Sequence, residues 1–353
     1  MIRASLLDAY RRTGADPPFG DPARAHGTPL EGYYWRIVDP EAGRVIVALC
    51  GVCRPGAESW ATVAVAAHPG GFLRHAMVAP AAGEREAFGV RAGGGPCGSA
   101  EALGVRGSAE ALGVGRSAGA FSVRRGDGVL RGSADALSVR LGDDVRVELR
   151  LRSPFLWPNR AFGGLGPAHA VPGLGQYWHP VVLAARADGE ASLGGVDVRF
   201  HGATAYVEKN WGPGFARHWW WGQAGAFPGA DATVAFAGGR LRVAGQVVAP
   251  TAVVVRIGER VLRFAPPVAR VRTAATASAW RVIARTARHA AEIEGDAAGA
   301  TPHVLPVPDI AARRVEMRSS QHLAGRLRLR VSRGTRTLFE GASPLAGLEL
   351  GEP

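Results

Sequence analysis

Residues 31–51, EGYYWRIVDPEAGRVIVALCG, predict two short strands joined by a turn. Apolar and β-branched residues fill the segments Glu31 to Asp39 and Arg44 to Gly51, and Asp, Pro and Gly residues stand between them. The same pattern of apolar segments separated by turn residues continues from Trp60 to His68 and from Phe72 to Ala79. Because each of these strands is followed by a turn and not by a helix, the sequence predicts an antiparallel meander.

The rest of the chain extends this pattern into an all-β fold. It has 353 residues with 49 Gly and 24 Pro, a share that favours turns and short strands over long helices. Two β-rich halves of about eight strands each would suffice to close two barrels, each able to hold one small ligand. We therefore expect an N-terminal β-barrel domain over residues 1–200, beginning with a short helix to about His26, and a C-terminal one over 201–353. Further strands are predicted at Val145 to Leu151, Ala203 to Asn210, Trp219 to Phe227, Thr233 to Phe236, Leu241 to Val248, Ala252 to Ile257 and Val261 to Phe264.

A nine-residue repeat interrupts the first half. Copies of GSAEALGVR and its variants run from about residue 98 to 140. The period is far shorter than that of solenoid repeats, so we interpret the segment as a low-complexity insertion without chemistry of its own. The later copies, with Leu137 and Val139 alternating, could form strands, and the first copies are expected to be an exposed loop.

The charge is strongly positive but scattered. Lys+Arg total 42 against 30 Asp+Glu, a net charge of +12, and Lys209 is the single lysine. Without clustering of arginines among aromatics we expect no nucleic-acid partner, although a basic surface would suit peripheral contact with anionic lipid. Three cysteines cannot form a disulfide framework, and neither a secretion signal nor a spanning apolar run is found, so we expect a cytoplasmic protein.

Two short motifs are better explained by chance than by chemistry. Cys50-Gly51-Val52-Cys53 has the spacing of a redox pair or half a zinc site, but no βαβ context or paired histidines accompany it. Residues 115–119 match G-x-S-x-G but lie inside the repeat, away from any strand-to-helix turn. No nucleotide-binding loop is found. We therefore expect neither a metal nor a cofactor.

Aromatic residues and carboxylates concentrate in four short stretches. Alternation along a strand places Tyr206, Glu208 and Asn210 on one face, and it places Glu31, Tyr33 and Trp35 together on another strand. Any single aromatic is more often core than site. Carboxylates buried beside aromatics, however, are costly unless they have a purpose or a partner. Lys209 points to the face opposite Glu208, so if Lys209 is inside a barrel, Glu208 is not. The other two stretches are Gln176 to His179 and His218 to Trp221.

These stretches resemble the tocopherol cyclase family. Its signature is similar to Ala205-Tyr206-Val207-Glu208-Lys209-Asn210-Trp211-Gly212 followed by Phe215 and three tryptophans. The resemblance implies two lipocalin-like β-barrels side by side, as in carotenoid hydratases and some Diels-Alder cyclases. The implied activity is ring closure of a prenylated quinol to a chromanol. Supporting segments are Glu31 to Tyr34, Trp157-Pro158, Tyr177 to His179 and Leu345 to Glu349.

The implied chemistry assigns expected roles to individual residues. Glu208 or Glu31 would be a protonated acid because burial raises the pKa of a carboxyl. Asn210, Tyr206 and His179 would hold the quinol hydroxyls and take up the phenol proton. A non-catalytic carrier of a lipid, isoprenoid or pigment remains the alternative. Tyr33, Trp35, Trp219 and Trp221 would face the cation, and the other expected contacts to the lipophilic substrate are Tyr177, Trp178, Lys209, Trp211 and Asn159.

Overall fold

The computed structural model describes residues 28–54, 59–84, 88–93, 121–122, 128–158, 162–171, 174–243 and 246–352. The predicted N-terminal helix, the first copies of the repeat and Asn159 lie outside these residues. A 3-10 helix spans Gly166–Ala170, and the other regular elements described are strands. The all-β prediction is therefore confirmed.

Twelve strands form the first sheet, in the spatial order β5-β6-β8-β9-β10-β11-β12-β1-β2-β3-β4-β7. Every neighbouring pair is antiparallel except β4 with β7. Gly43, with φ of 61°, supplies the positive φ needed between β1 and β2. The strands are β1 (Leu30–Asp39), β2 (Arg44–Cys53), β3 (Trp60–His68), β4 (Phe72–Val78), β5 (Ala81–Gly83), β6 (Gly89–Ala92), β7 (Phe121–Ser122), β8 (Gly128–Ser133), β9 (Ala136–Leu141), β10 (Val145–Leu156), β11 (Tyr177–Leu193) and β12 (Val196–Gly212).

The second sheet has ten strands in the order β18-β17-β14-β13-β24-β23-β21-β20-β19, with β22 paired to β23. The predicted strand from Leu241 to Val248 is instead a separate hairpin, β15 with β16. The strands are β13 (Trp219–Ala224), β14 (Ala232–Gly239), β15 (Leu241–Val243), β16 (Gln246–Val248), β17 (Thr251–Ile257), β18 (Arg260–Phe264), β19 (Arg270–Ala275), β20 (Ala279–Arg285), β21 (His289–Asp296), β22 (His303–Asp309), β23 (Arg314–Arg333) and β24 (Arg336–Gly351).

Each sheet curls into a nearly closed barrel around its own apolar core. The last repeat copy forms β9, and its Leu137 and Val139 are fully buried in the first core. Strand β12 runs unbroken through the predicted domain boundary near residue 200, and that boundary stays a prediction.

A third apolar cluster, which we call the seam, joins the two barrels. It packs outward-facing side chains of β1, β11 and β12 against those of β13, β14, β17 and β24. Arg36 crosses the seam, and its Nη2 donates to the carbonyl oxygens of Leu323 (2.7 Å) and Leu345 (2.8 Å). The Leu323 carbonyl lies at the register shift between the pairs His322 with Leu348 and Gly325 with Ala346, and the Leu345 carbonyl lies at the next shift, between Gly325 with Ala346 and Leu327 with Ser343. The seam is therefore fixed by polar as well as apolar contacts.

Candidate active site

A cavity of about 570 Å³ lies in the seam, between the outer walls of the two barrels. Its size falls in the range of pockets that bind small organic molecules. The 3-10 helix, the β15–β16 hairpin and the segment after β18 border it, and Val171 and Val248 are both part of its wall and exposed. Aromatic and polar side chains of the wall include Tyr34, Gln176, Tyr177, Trp178, Glu208, Asn210, Trp219, Trp220, Trp221, Ser319 and Glu349.

Glu208 lies in the cavity wall with a specific pattern of hydrogen bonds. Three groups donate to its Oε2: Trp178 Nε1 at 2.7 Å, the Tyr206 hydroxyl at 2.7 Å and Trp221 Nε1 at 2.9 Å. Its Oε1 accepts no hydrogen bond from any residue that the structure describes. Burial is the largest effect on Glu208 and raises its pKa to about 7. The negative charge of nearby Glu349 also raises this pKa, whereas the three hydrogen bonds lower it.

Glu349 is a second carboxyl in the same wall, and the sequence analysis gave it no role. Trp219 Nε1 donates to its Oε1 at 2.5 Å, and Gln321 Nε2 donates to its Oε2 at 2.6 Å. Gln321 in turn accepts from the Tyr34 hydroxyl at 3.1 Å. Burial is the main cause that raises the pKa of Glu349. A single acidic residue in the apolar segment Leu345 to Leu350 was the available signal.

The three consecutive tryptophans of β13 divide between two environments, as alternation along a strand requires. Trp219 and Trp221 point to the cavity and give one indole N–H to each carboxyl. Trp220 packs in the core of the second barrel, and its Nε1 donates to Thr251 Oγ1 at 2.8 Å. Strand β13 therefore holds both acidic groups in place from one face.

Asn210 lies on the same face of β12 as Glu208 and borders the cavity. Its side chain lies over Gly32 of the paired strand β1. A Cβ added at residue 32 would be much closer to Asn210 Oδ1 than van der Waals contact allows. Gln176 Nε2 donates to Asn210 Oδ1 at 3.5 Å. Glycine at residue 32 thus makes room for an amide at the cavity wall.

The structure separates Glu31 from Glu208. Alternate residues of β1 and β12 face the inside of the first barrel, where Glu31 Oε2 accepts from the Tyr33 hydroxyl at 2.8 Å and lies 3.8 Å from Lys209 Nζ. Arg54 Nη1 also bonds Glu31 Oε1 at 2.6 Å. Lys209 is thus inside the barrel, and Glu208 is on its outer wall but covered by the second barrel. Glu31 thus lies away from the cavity that Glu208 lines, and its expected role as an alternative acid stays a prediction.

Several expected substrate contacts also lie within the first barrel. Trp35 packs in that core and donates from Nε1 to the Ser133 carbonyl at 3.0 Å, and the Tyr33 ring stacks against it. Trp211 contacts the rings of both Tyr177 and His169, with centroids 5.7 and 5.6 Å away. Trp35, Trp211, Lys209 and Glu31 are therefore not part of the cavity wall. Of these stacked rings, Tyr33 and Tyr177 border the cavity.

His179 does not reach the cavity either. It faces the inside of the first barrel, and its Nδ1 accepts from the Gly164 N–H at 3.2 Å. Burial holds its pKa well below the ordinary value, and likewise lowers the pKa of neighbouring His169 to about 3. Both rings are neutral at neutral pH and anchor the segment that precedes the 3-10 helix. His179 thus lies outside the cavity that Glu208 lines, and its expected contact with a quinol hydroxyl stays a prediction.

The C-x-x-C motif lies in β2, and the G-x-S-x-G match at residues 115–119 lies outside the residues that the structure describes. Cys50 and Cys53 are free thiols buried in β2, and burial raises the pKa of each. Among the residues described, no three His, Cys, Asp or Glu side chains are grouped as metal ligands. Nor does any helix there have the length and apolarity to cross a membrane.

The cavity and its two carboxyls belong to a stretch that a known family shares. A model of the tocopherol cyclase-like family matches residues 171–352, which include β11 to β24 and therefore Trp178, Glu208 and Glu349. The chain belongs to the tocopherol cyclase-like family. The resemblance stated from the sequence is thus confirmed. The first barrel strands up to β10 lie outside the matched stretch.

A plant protein is among the individual relatives of this family member. It is 38% identical over 77 residues to the protein named tocopherol cyclase, chloroplastic, of Zea mays, a match covering 22% of this chain and 16% of that protein. The matched stretch thus spans about a sixth of the length of that relative.

A solved structure shares the fold of this family member. The crystal structure of CghA with Sch210972 superimposes with a TM-score of 0.55 and 12% identity, covering 92% of this chain and 88% of that one. Kievitone hydratase from Nectria haematococca gives a TM-score of 0.46 and 8% identity over 96% and 91% of the two chains. The likeness to CghA shows the architecture of two barrels and nothing about the reaction.

Proposed function

We propose that the protein is a cyclase/hydratase-type enzyme that closes a ring in a lipophilic prenylated aromatic compound. The phenol hydroxyl of a prenylated quinol would add across the neighbouring prenyl double bond and give a chromanol-type ring. One observation carries this proposal: Glu208 lines an aromatic cavity with three donors on Oε2 and none on Oε1. Membership of the family supports the same reaction class.

The hydrogen-bond pattern determines where Glu208 holds its proton. In a neutral carboxyl, one oxygen accepts and the other carries hydrogen. Because Trp178, Tyr206 and Trp221 all donate to Oε2, the proton resides on Oε1. With a pKa raised to about 7, a substantial fraction of Glu208 is protonated near neutral pH. The side chain can therefore act as a general acid toward a molecule in the cavity.

The proposed reaction is balanced as an isomerisation. The Glu208 O–H bond breaks and a C–H bond forms at the less substituted alkene carbon, which leaves a tertiary carbocation. A lone pair of the phenol oxygen then forms the C–O bond, the phenol O–H bond breaks as its proton passes to a base, and the Glu208 carboxylate regains a proton from water. The rings of Tyr34, Trp219 and Trp221 in the wall offer π faces that stabilise the cation. The amide of Asn210 is placed to hold a quinol hydroxyl, two residues from the acid on the same face.

Turnover of a prenylated hydroquinone tests the proposal directly. Purified protein should convert it to a product of unchanged mass that has lost one phenol hydroxyl, followed by liquid chromatography with mass spectrometry. Glu208→Gln should lower the rate about 100-fold or more, because the amide cannot protonate carbon. Glu190→Gln, an exposed residue of the first sheet, is the matched control and should retain the wild-type rate.

Two outcomes would contradict the proposal. Full activity in a folded Glu208→Gln variant would remove the acid from the mechanism. Retention of the hydroquinone without conversion, seen as an unaltered ligand by native mass spectrometry, would instead support the carrier alternative.

A further inference from the structure

The two carboxyls of the cavity accept hydrogen bonds in different ways. Glu349 receives one donor on each oxygen, from Trp219 and Gln321, whereas all three donors to Glu208 converge on one oxygen. Donors on both oxygens suit a carboxylate, since neither oxygen then needs to carry hydrogen. Among the described residues, the geometry thus leaves one oxygen of Glu208 without a donor and gives each oxygen of Glu349 one.

We propose that Glu349 is a second catalytic residue, the base that accepts the phenol proton when the ring closes. This assignment rests on the proposed cyclisation. Glu208 and Glu349 come from different barrels, β12 and β24, and both line the same cavity. An acid and a base that come from different barrels and line one cavity allow a bound substrate to gain a proton at carbon and lose one at oxygen.

Such a group closes the proton balance. In one turnover Glu208 loses its proton to the alkene carbon, and the phenol oxygen releases one as the C–O bond forms. Glu349 takes up that proton, so the turnover ends with Glu349 neutral and Glu208 ionised. Exchange with water after product release restores the starting charges, and no oxidant or reductant is involved.

The surroundings of the pair contain few other charges. Tyr34, Tyr206, Trp178 and Trp221 face Glu208, and Gln321, Ser319 and Trp219 face Glu349. Arg36 lies behind Tyr34 in the seam and Arg318 lies over the outer side of the Trp219 ring, 5.0 Å from its centroid. An ionised Glu349 therefore acts on Glu208 mainly through its own negative charge, which favours the protonated form of Glu208.

Reaction in deuterium oxide separates the roles of the two carboxyls. Glu208→Gln should lose both ring closure and deuterium incorporation. Glu349→Gln should close the ring about 100-fold more slowly, yet the recovered prenylated hydroquinone should contain deuterium. This follows because the acid still forms the cation, which reverts when a proton returns to Glu208. Glu340→Gln, exposed on the same strand, is the matched control and should behave as wild type.

Three outcomes of that experiment count against a role for Glu349 as the base. Ring closure by Glu349→Gln at the wild-type rate would overturn it. Loss of both ring closure and deuterium exchange, in a variant whose circular dichroism and unfolding midpoint match wild type, would place Glu349 in the acid step. A wild-type protein that neither closes the ring nor exchanges deuterium contradicts the proposed function itself and the role that depends on it.

Infrared titration tests the charge assignment without turnover. The C=O absorption of a protonated buried carboxyl should be present near pH 6 in wild type, absent in Glu208→Gln and retained in Glu349→Gln. Its midpoint should move to lower pH in Glu349→Gln, because the neighbouring negative charge is gone. The reverse pattern, with the signal lost in Glu349→Gln and kept in Glu208→Gln, would overturn the assignment.

Discussion

At the scale of single residues, Glu208 couples protonation to stability. Its pKa is about 7 in the folded protein, above the ordinary value of 4.5, because burial disfavours the charged form. The folded chain therefore binds this proton more tightly than the unfolded chain. The resulting contribution to the free energy of unfolding is fully present below pH 4.5 and is lost as the pH rises through 7.

We expect the free energy of unfolding to fall between pH 5 and pH 8 by about 3 kcal/mol more in wild type than in Glu208→Gln. Urea unfolding at a series of pH values measures this difference. Buried His169 and His179, whose pKa values are lowered, titrate in both proteins and cancel in the comparison. Parallel pH dependences in the two proteins would mean that Glu208 is not desolvated.

The sequence predicted which residues share the strand face of Glu208, but it did not predict which cavity that face lines. Alternation placed Tyr206, Glu208 and Asn210 on one face, and the structure agrees. That face is the outside of the first barrel, and only the second barrel buries it. Since periodicity assigns residues to faces without saying what covers each face, Glu31 and His179 were grouped with a site that they do not reach. Gln321 gave no sequence signal, because its role comes from pairing across strands.

At the scale of elements, Arg36 of β1 donates hydrogen bonds where the register of β23 against β24 shifts. Its side chain is fully buried and donates to two carbonyl oxygens at the shifts in register. No ion pair accompanies Arg36 within the described residues, and burial lowers its pKa to about 10. The guanidinium therefore fixes one barrel to the other through carbonyls alone.

Arg36→Met should lower the free energy of unfolding by about 2–5 kcal/mol, since two buried carbonyls would lose their donor. Chemical denaturation of purified protein measures the loss. Arg150→Met, at an exposed position of β10, is the control and should change stability by less than about 0.5 kcal/mol. Equal stability of Arg36→Met and wild type would show that water or local rearrangement satisfies both carbonyls.

Strands were the part of the fold that could be predicted with the least error. Trp60–His68 was predicted to the residue, and β1, β2 and β4 differ by one or two residues at an end. Leu241 to Val248 was misassigned as one strand, because its apolar pattern does not separate β15 from β16, which pair with each other. Pairing order within the barrels, and the position of β22 against β23, depend on long-range contacts that local patterns do not encode.

At the scale of the whole molecule, the cavity depends on both sheets at once. Trp178 comes from the first sheet and Trp219, Trp220 and Trp221 from the second, so four of the nine tryptophans lie in its wall. A ligand that fills the cavity therefore contacts both barrels and should stabilise them together. The folded chain also positions the 3-10 helix across the edge of the cavity.

A prenylated hydroquinone should quench tryptophan fluorescence and raise the unfolding free energy by about 2.7 kcal/mol at 100 times its Kd. Fluorescence titration and thermal unfolding in Glu208→Gln, which cannot turn the ligand over, measure both effects. A hydroquinone without the prenyl chain is the control and should give a much weaker response. An unchanged midpoint with saturating ligand would mean that the seam is not the binding site.

A chamber bounded by two separately packed cores has a consequence for how such proteins diversify. Small slides or rotations of one barrel against the other would reshape the space between them while both interiors remain intact. Substitutions at the join can thus change which molecule is accepted at little cost in folding. Selection for new chemistry would then change residues mainly along this boundary. The residues inside each barrel would evolve mainly under the requirement that the barrel stay folded.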